Sequence, residues 1–369
     1  MKKVAMFMAI AGLILAVSGT AGADSVPFNA PGYTYTKVID GGAVTLASAS
    51  FSPDGMKIAY LDRGYGANSS TEEINNATYS VKLYDRATSS TTTLRSITRN
   101  GTQTGNYGFT TPYFSDDGAK VGWTRAYYDL VDDLEVCNLS TGEVTTYAPP
   151  SPNSPLRDAA NSDFLGSYTN QWVAWDWHSV TGEADMYLYS ASGANWTQGT
   201  NLTSSANYSE YEPDSNRAGN KILYWSGETG TEPIDTAHTL TDVSGTWTKD
   251  VGFTPITSCT WAFWSRDETK IGVSKYDSGG GYGKGDLYVY DSAGNFLFDL
   301  TGPGVGQGTD WQYFGFNFNV GNEYVFNSTA DNTLGGRDIW VAVPEPATLV
   351  VLALGGVGML LRRRRTARE

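Results

Sequence analysis

Two histidines, His178 and His238, are the whole imidazole supply of this 369-residue chain. A Ser-His-Asp relay needs a positioned base and an exposed serine. The interior holds no Gly-x-Ser-x-Gly turn, so acyl transfer is not expected. Carboxylates are plentiful, with 39 Asp and Glu against 25 Lys and Arg. Asp129, Asp132, Asp133 and Glu135 crowd one stretch, and Tyr276 to Asp286 reads YDSGGGYGKGD. Calcium takes six to eight oxygens, often from such loops. Neither stretch has the spacing of a calcium-binding helix-loop-helix, and both read as solvated acidic loops. The second also lacks the Gly-Lys-Ser/Thr ending of a phosphate loop. No catalytic residue, metal ligand or cofactor is therefore assigned.

Aromatic residues are the other resource: 11 Trp, 23 Tyr and 14 Phe. Trp172, Trp175 and Trp177 fall on nearly alternating positions, and Trp261 and Trp264 flank Phe263. Such rings stack on sugars or fill a core, and the core reading is favoured. Two short pieces, SASGANWT from Ser190 and TDVSGTWT from Thr241, approach the sialidase aspartate box. The first lacks the Asp and the second has it one place early, so both are read as hairpin turns with a Trp between packed elements. Cys137 and Cys259 are too few for a disulfide framework.

These residues must be carried by strands. Gly, Thr, Ser and aromatics abound, and no long interior stretch keeps a 3.6-residue apolar period, which favours an all-β chain. FSPDGMKIAY at Phe51 returns as FSDDGAKVGW at Phe114 and, with decay, as GSYTNQWVAW, YEPDSNRAGNKILYW, WSRDETKIGV and FNVGNEYVF. The apolar residue after each turn is Ile58, Val121, Val173, Ile222, Ile271 and Val325, at intervals of 63, 52, 49, 49 and 54. In the sharpest copies the turns are Ser52-Pro53-Asp54-Gly55 and Ser115-Asp116-Asp117-Gly118. Proline presets φ at the second turn position, and the fourth tolerates glycine. A second alternating strand follows most turns, as in SVKLYD, DLEVCN, DMYLYS, DLYVYD and DIWVAV; the fourth unit lacks a clean copy. Two turns with their flanking strands supply four strands per unit, the content of one propeller blade.

The paired motifs resemble the TolB-like six-bladed β-propeller over about Tyr33 to Val343. Seven blades or an irregular sandwich is the alternative. The last unit shows three strands, and YTYTKVI at Tyr33–Ile39 stands ahead of the first blade without a partner. It is expected to pair into the last blade and close the ring, removing an exposed edge. Cys137 then falls in blade two and Cys259 in blade five, on opposite sides, so both are expected as free thiols.

The ends read as addresses. Residues 1–23 have a basic start, an apolar stretch and Ala21-Gly22-Ala23, the plan of a secretory signal peptide. Residues 24–343 are the propeller, and 344–369 the tail. Ala347 to Leu361 spans about 22 Å as a helix at ~1.5 Å per residue, short for a hydrocarbon core of about 30 Å. Arg362, Arg363, Arg364 and Arg365 would hold the cytoplasmic side. Pro344-Glu345-Pro346, the short apolar segment and the arginines resemble the PEP-CTERM sorting signal. That resemblance implies an exosortase-type membrane enzyme as partner and a cell-surface or matrix destination in a bacterium. A plain membrane anchor through this helix is the alternative. Losing two positive charges at the N-terminal segment and a net three at the tail takes the formal charge from −14 to −19. So acidic a body argues against nucleic acid, where basic patches supply the affinity. The expected role is a binding module for polysaccharide or a surface protein. The alternative is a glycan-active hydrolase or lyase using carboxylates in the central channel.

Overall fold

The computed structural model describes residues 28, 30–66, 69–99, 106–127, 132–148, 160–165, 170–178, 183–193, 195–204, 208–228, 236–265, 267–275, 286–301, 322–328 and 336–345. The signal-peptide reading of 1–23, Pro346 and the arginines at 362–365 lie outside these. Strand β1 (Tyr33–Ile39) stands alone at the start of the chain order. Five antiparallel meanders follow. The first is β2 (Leu46–Phe51), β3 (Lys57–Asp62), β4 (Thr78–Asp85) and β5 (Ser90–Thr98). The second is β6 (Asn106–Phe109) with β7 (Tyr113–Phe114), then β8 (Lys120–Tyr127), β9 (Asp133–Asn138) and β10 (Val144–Tyr147). Pro112, which has no N–H to donate, stands in the break between β6 and β7.

Blade three holds β11 (Ala160–Phe164), β12 (Gln171–His178), β13 (Glu183–Ser192) and β14 (Asn195–Asn201). Blade four holds β15 (Tyr208–Ser215), β16 (Lys221–Glu228), β17 (Thr236–Val243) and β18 (Thr246–Lys249), with β19 (Ile256–Thr257) also on β17. Blade five holds β20 (Cys259–Trp264), β21 (Lys270–Lys275), β22 (Leu287–Asp291) and β23 (Phe296–Asp299). The sixth sheet is β24 (Tyr324–Ser328), β25 (Asp338–Pro344) and β1. Six such sheets make the chain a six-bladed β-propeller. Among the described residues the one α-helix is the five-residue α1 (Thr71–Asn75), begun by a Ser70/Glu73 capping box in the loop between β3 and β4.

The repeat explains the core. Ile58, Val121, Val173, Ile222, Ile271 and Val325, one per blade, are all fully buried. Each such side chain contributes roughly 1.5–3 kcal/mol of burial. The first strands of neighbouring sheets lie side by side, β2 beside β7 and β15 beside both β11 and β20. The last strands are the exposed ones: β18 and β23 bury nothing fully. First strands therefore face the axis and last strands the rim. The fourth unit's unrecognised second strand is β17, whose TAHTLTDV puts polar residues where other blades have Tyr, Leu or Val.

Ring closure follows the expectation. β1 pairs antiparallel with β25, Tyr33 opposite Pro344 and Lys37 opposite Trp340. Phe28 lies edge-on to Phe326 and Trp340, with centroids at 4.9 and 5.3 Å. The Tyr35 hydroxyl donates to the Leu300 carbonyl of blade five. Cys137 and Cys259 are buried free thiols in blades two and five.

Candidate functional site

The Ser-Pro-Asp-Gly residues build a structural device. In blade one the Gly55 N–H closes the turn on the Ser52 carbonyl at 2.8 Å, and Gly55 takes φ +69°. The Ser52 hydroxyl donates to Asp54 at 2.6 Å and accepts the Lys57 N–H at 2.8 Å. Blade two repeats this with Ser115, Asp117 and Lys120 at 2.7 and 2.9 Å, and Gly118 takes φ +69°. Blade five repeats it with Ser265, Asp267 and Lys270, using Glu268 at φ +58° where the others use glycine. In blade four Asn216 accepts the N–H groups of Asn220 and Lys221. The Ser52 hydroxyl and the Met56 N–H hold the Asp54 carboxyl below its usual range. The Ala119 N–H and the Ser115 hydroxyl do the same for Asp117.

These turns also touch one another across blades. A Cβ on Gly118 would come within 3.1 Å of Pro53, so the first two turns abut. Asp116 accepts from Arg217 of blade four at 3.0 Å. Glu268 of blade five accepts from Asn216 at 3.2 Å. Lys270 donates to Asn322, and Arg86 joins Glu323 of blade six to Gly55 of blade one at 2.7 Å each. The repeat-turn end of the channel is thus laced together. The loop between β3 and β4, which carries α1, leaves its blade from the opposite end.

The carboxylate run comes apart. Asp129 lies outside the described residues, while Asp132 and Glu135 are buried. The reading of a solvated acidic loop therefore fails at Glu135, which lies on β9 among residues buried on both faces of the strand. Its carboxylate accepts two N–H groups of Arg95 from blade one, at 3.2 and 3.0 Å, and the Trp123 indole N–H at 2.8 Å. Arg125 stands 3.6 Å away. This is an inter-blade clamp of opposite charges. Of YDSGGGYGKGD, only Asp286 lies among the described residues. His238 is half-buried on β17 with its ring 5.7 Å from Tyr224. Burial, then the Lys249 charge, lowers its pKa to about 4, so it is neutral at pH 7. The side chain of His178 lies outside the described set.

Buried polar groups gather between blades three and four. Asn201 donates to Asp185 at 2.8 Å, and the Thr203 hydroxyl lies 3.5 Å from Asp185 and 3.3 Å from Glu210. Ser209 accepts the Ala184 N–H at 3.1 Å. Among the described residues no group of three His, Cys, Asp or Glu is placed to hold a metal ion. Trp172, Phe263 and Trp264 are core, as expected, and Trp247 of TDVSGTWT packs on the cluster joining blades three and four. Trp175 and Trp261 remain partly exposed.

Trp261 belongs to a feature that no sequence pattern foretells. The first strands of blades one, four and five each break register once, between Ala47 and Ser50, Tyr211 and Asp214, and Thr260 and Ala262. The residue at each bulge has positive φ without being glycine: Ser48 at 50°, Glu212 at 49° and Trp261 at 49°. Each stays partly exposed on the first strand of its blade, the one nearest the axis.

At the C-terminal end, β25 runs straight into the tail. Ala342 is fully buried and paired on both sides, to Tyr35 of β1 and Tyr324 of β24. Val343 lies opposite Thr34, and the Glu345 N–H donates to the Gly32 carbonyl at 2.8 Å. Residues 342–365 match the PEP-CTERM protein-sorting motif. The motif implies an exported bacterial protein, associated with the envelope or surface and sorted by exosortase, a membrane enzyme. Its matched span contains Pro344, Glu345, Pro346 and all four arginines at 362–365. Among the described residues no helix is long and apolar enough to cross a membrane.

Similar solved structures share the fold. Oligogalacturonate lyase from Vibrio parahaemolyticus aligns with a TM-score of 0.52 at 11% identity, over 86% of this chain and 95% of that one. TolB from Acinetobacter baumannii aligns at 0.48 and 14% identity, over 79% of this chain and 64% of TolB. The β-propeller domain of the Trilobed protease from Pyrococcus furiosus aligns at 0.42 and 12% identity, over 81% and 95%. No curated protein matches the chain in sequence.

Proposed function

We propose that this chain is a binding module of the bacterial cell surface or extracellular matrix, delivered there through exosortase-type processing of its C-terminal motif. The observation that carries the reading is the junction at β25. The strand that closes the ring is also the one that enters the sorting motif, so a folded body and its address form one continuous piece. Processing is expected beyond Glu345, because a cut at Ala342 or Val343 would fall within a strand paired to β1. The ligand is a polysaccharide or surface protein met outside the cytoplasm, bound through the channel and the loop end opposite the laced turns.

Intact mass of the protein from its own host, fractionated into membrane, surface and medium, tests delivery. A mass lacking 1–23 and most of the tail, in the surface or medium fraction, is the expected result. A full tail found only in the membrane fraction would make the segment a plain anchor.

One observation favours a second reading, a glycan-active enzyme. Asp185 and Glu210 approach the same Thr203 hydroxyl, a pair of carboxylates of the kind acid-base chemistry uses. The structurally similar Vibrio protein is an oligogalacturonate lyase. Incubation with oligogalacturonate, followed by ultraviolet absorbance of unsaturated product, separates the two readings: turnover favours the enzyme, its absence the binder.

A further inference from the structure

Glu212 sits where the fold has no need of a glutamate. The equivalent bulge in blade one carries Ser48 with the same backbone conformation. Positive φ is strained for a non-glycine residue, and such strain persists only where the surroundings hold it, commonly at ligand sites. Burial also pushes the Glu212 carboxyl up to about 8, against the opposing pull of the Trp225 indole. Two unfavourable features at one channel residue call for a use.

Its surroundings suggest one. Trp225 donates its indole N–H to Glu212 at 3.3 Å. The Trp225 ring lies 4.5 Å from Tyr211 at 32°, and Tyr211 meets Trp175 of blade three edge-on at 5.2 Å. Tyr211 and Trp175 are partly exposed. Aromatic rings beside a polar carboxyl group match a pyranose, which offers an apolar face and a rim of hydroxyls. A formal charge of −14 over the chain repels a polyanion and leaves neutral sugars as the fitting class.

The geometry points to a neutral-saccharide subsite in the channel wall between blades three and four, formed by Trp175, Tyr211, Glu212 and Trp225. It rests on the binding-module reading and names its ligand class. The exposed parts of the Tyr211 and Trp175 rings supply the platform, and Glu212 hydrogen-bonds a hydroxyl.

Calorimetry and tryptophan fluorescence on the full chain test it, with hexamers of glucose and of N-acetylglucosamine as probes and hexagalacturonate as the anionic counter-probe. One neutral hexamer is expected to bind and perturb fluorescence, with hexagalacturonate much weaker. Trp175→Ala removes one ring of the platform, so affinity falls about two- to tenfold. Glu212→Gly relieves the strained φ and removes the carboxyl, so the melting temperature rises while binding drops by about tenfold or more. A purely structural glutamate would give a lower melting temperature. Glu212→Gln, which still hydrogen-bonds, retains binding. A neutral hexamer whose affinity is unchanged in both Trp175→Ala and Glu212→Gly would overturn the subsite and leave the binding-module reading standing. The subsite alone is likewise overturned if no hexamer binds at millimolar concentration while the host's envelope polysaccharide is still retained. Failure of both hexamers and envelope material overturns both.

Discussion

Glu135 and Glu212 are both glutamates set into the propeller wall, and both accept an indole N–H, from Trp123 at 2.8 Å and Trp225 at 3.3 Å. They differ in almost everything else. Glu135 lies on a regular strand, meets the guanidinium of Arg95 in two hydrogen bonds and ties blade one to blade two. Glu212 lies on a strained bulge facing the channel, and burial keeps its carboxyl protonated at neutral pH. A buried charge is tolerated where opposite charge and hydrogen bonds answer it; a buried carboxyl kept neutral is available as a donor. The first arrangement holds blades together. The second serves recognition.

Substitutions sharpen that contrast. The largest effect belongs to closure: removing Tyr33–Ile39 exposes both β25 and the aromatic cluster around Trp340. Calorimetry is expected to show loss of the single cooperative transition. Glu135→Ala removes the hydrogen bonds to Arg95 and Trp123 and is expected to lower stability by about 2–3 kcal/mol in urea unfolding, the range for hydrogen bonds to a charged group.

Glu212 gives an effect of opposite sign at high pH. Its folded-state pKa is raised to about 8 from an ordinary glutamate value near ~4.3. The folded chain therefore holds this proton more tightly, and stability falls as pH rises between those values. Glu212→Gln removes that fall. Because the residue is partly exposed, the variant is expected to exceed the parent by on the order of 2 kcal/mol at pH 9, well below the full linkage limit, with no gain at pH 4. Smallest is Ser115→Ala, which takes the hydroxyl from one repeat turn. A loss of about 1 kcal/mol is expected in the same unfolding assay, with no change in either glutamate.

What could be read in the sequence divides along the same line. Local turn chemistry repeats, so Ser52-Pro53-Asp54-Gly55 and its copies mark one buried residue in each of the six blades, and the unpartnered alternation of Tyr33–Ile39 marks the closing strand. The weak point was β17, where Thr236, His238 and Thr241 hide the alternation. Glu135 was misread because its partner Arg95 lies in another blade, and nothing in the local sequence announces a pairing forty residues away. Glu212 sits in Tyr-Glu-Pro-Asp-Ser, which looks like a turn. Yet the tight turn is Asn216 to Gly219, and the Glu-Pro-Asp segment is an irregular strand. Backbone strain and enclosure emerge only from packing, so neither the channel bulges nor the contact of Trp175 with Tyr211 could be found from residue types alone.

The protonation of Glu212 can be measured directly. With carbon-13 in the glutamate carboxyl groups and the Glu212→Gln variant to assign the signal, nuclear magnetic resonance follows this one group from pH 4 to 10. A midpoint near 8 would establish a neutral carboxyl in the channel wall at physiological pH. A midpoint in the ordinary range near ~4.3 would make Glu212 a solvated surface acid, and the distinction drawn between the two glutamates would be wrong.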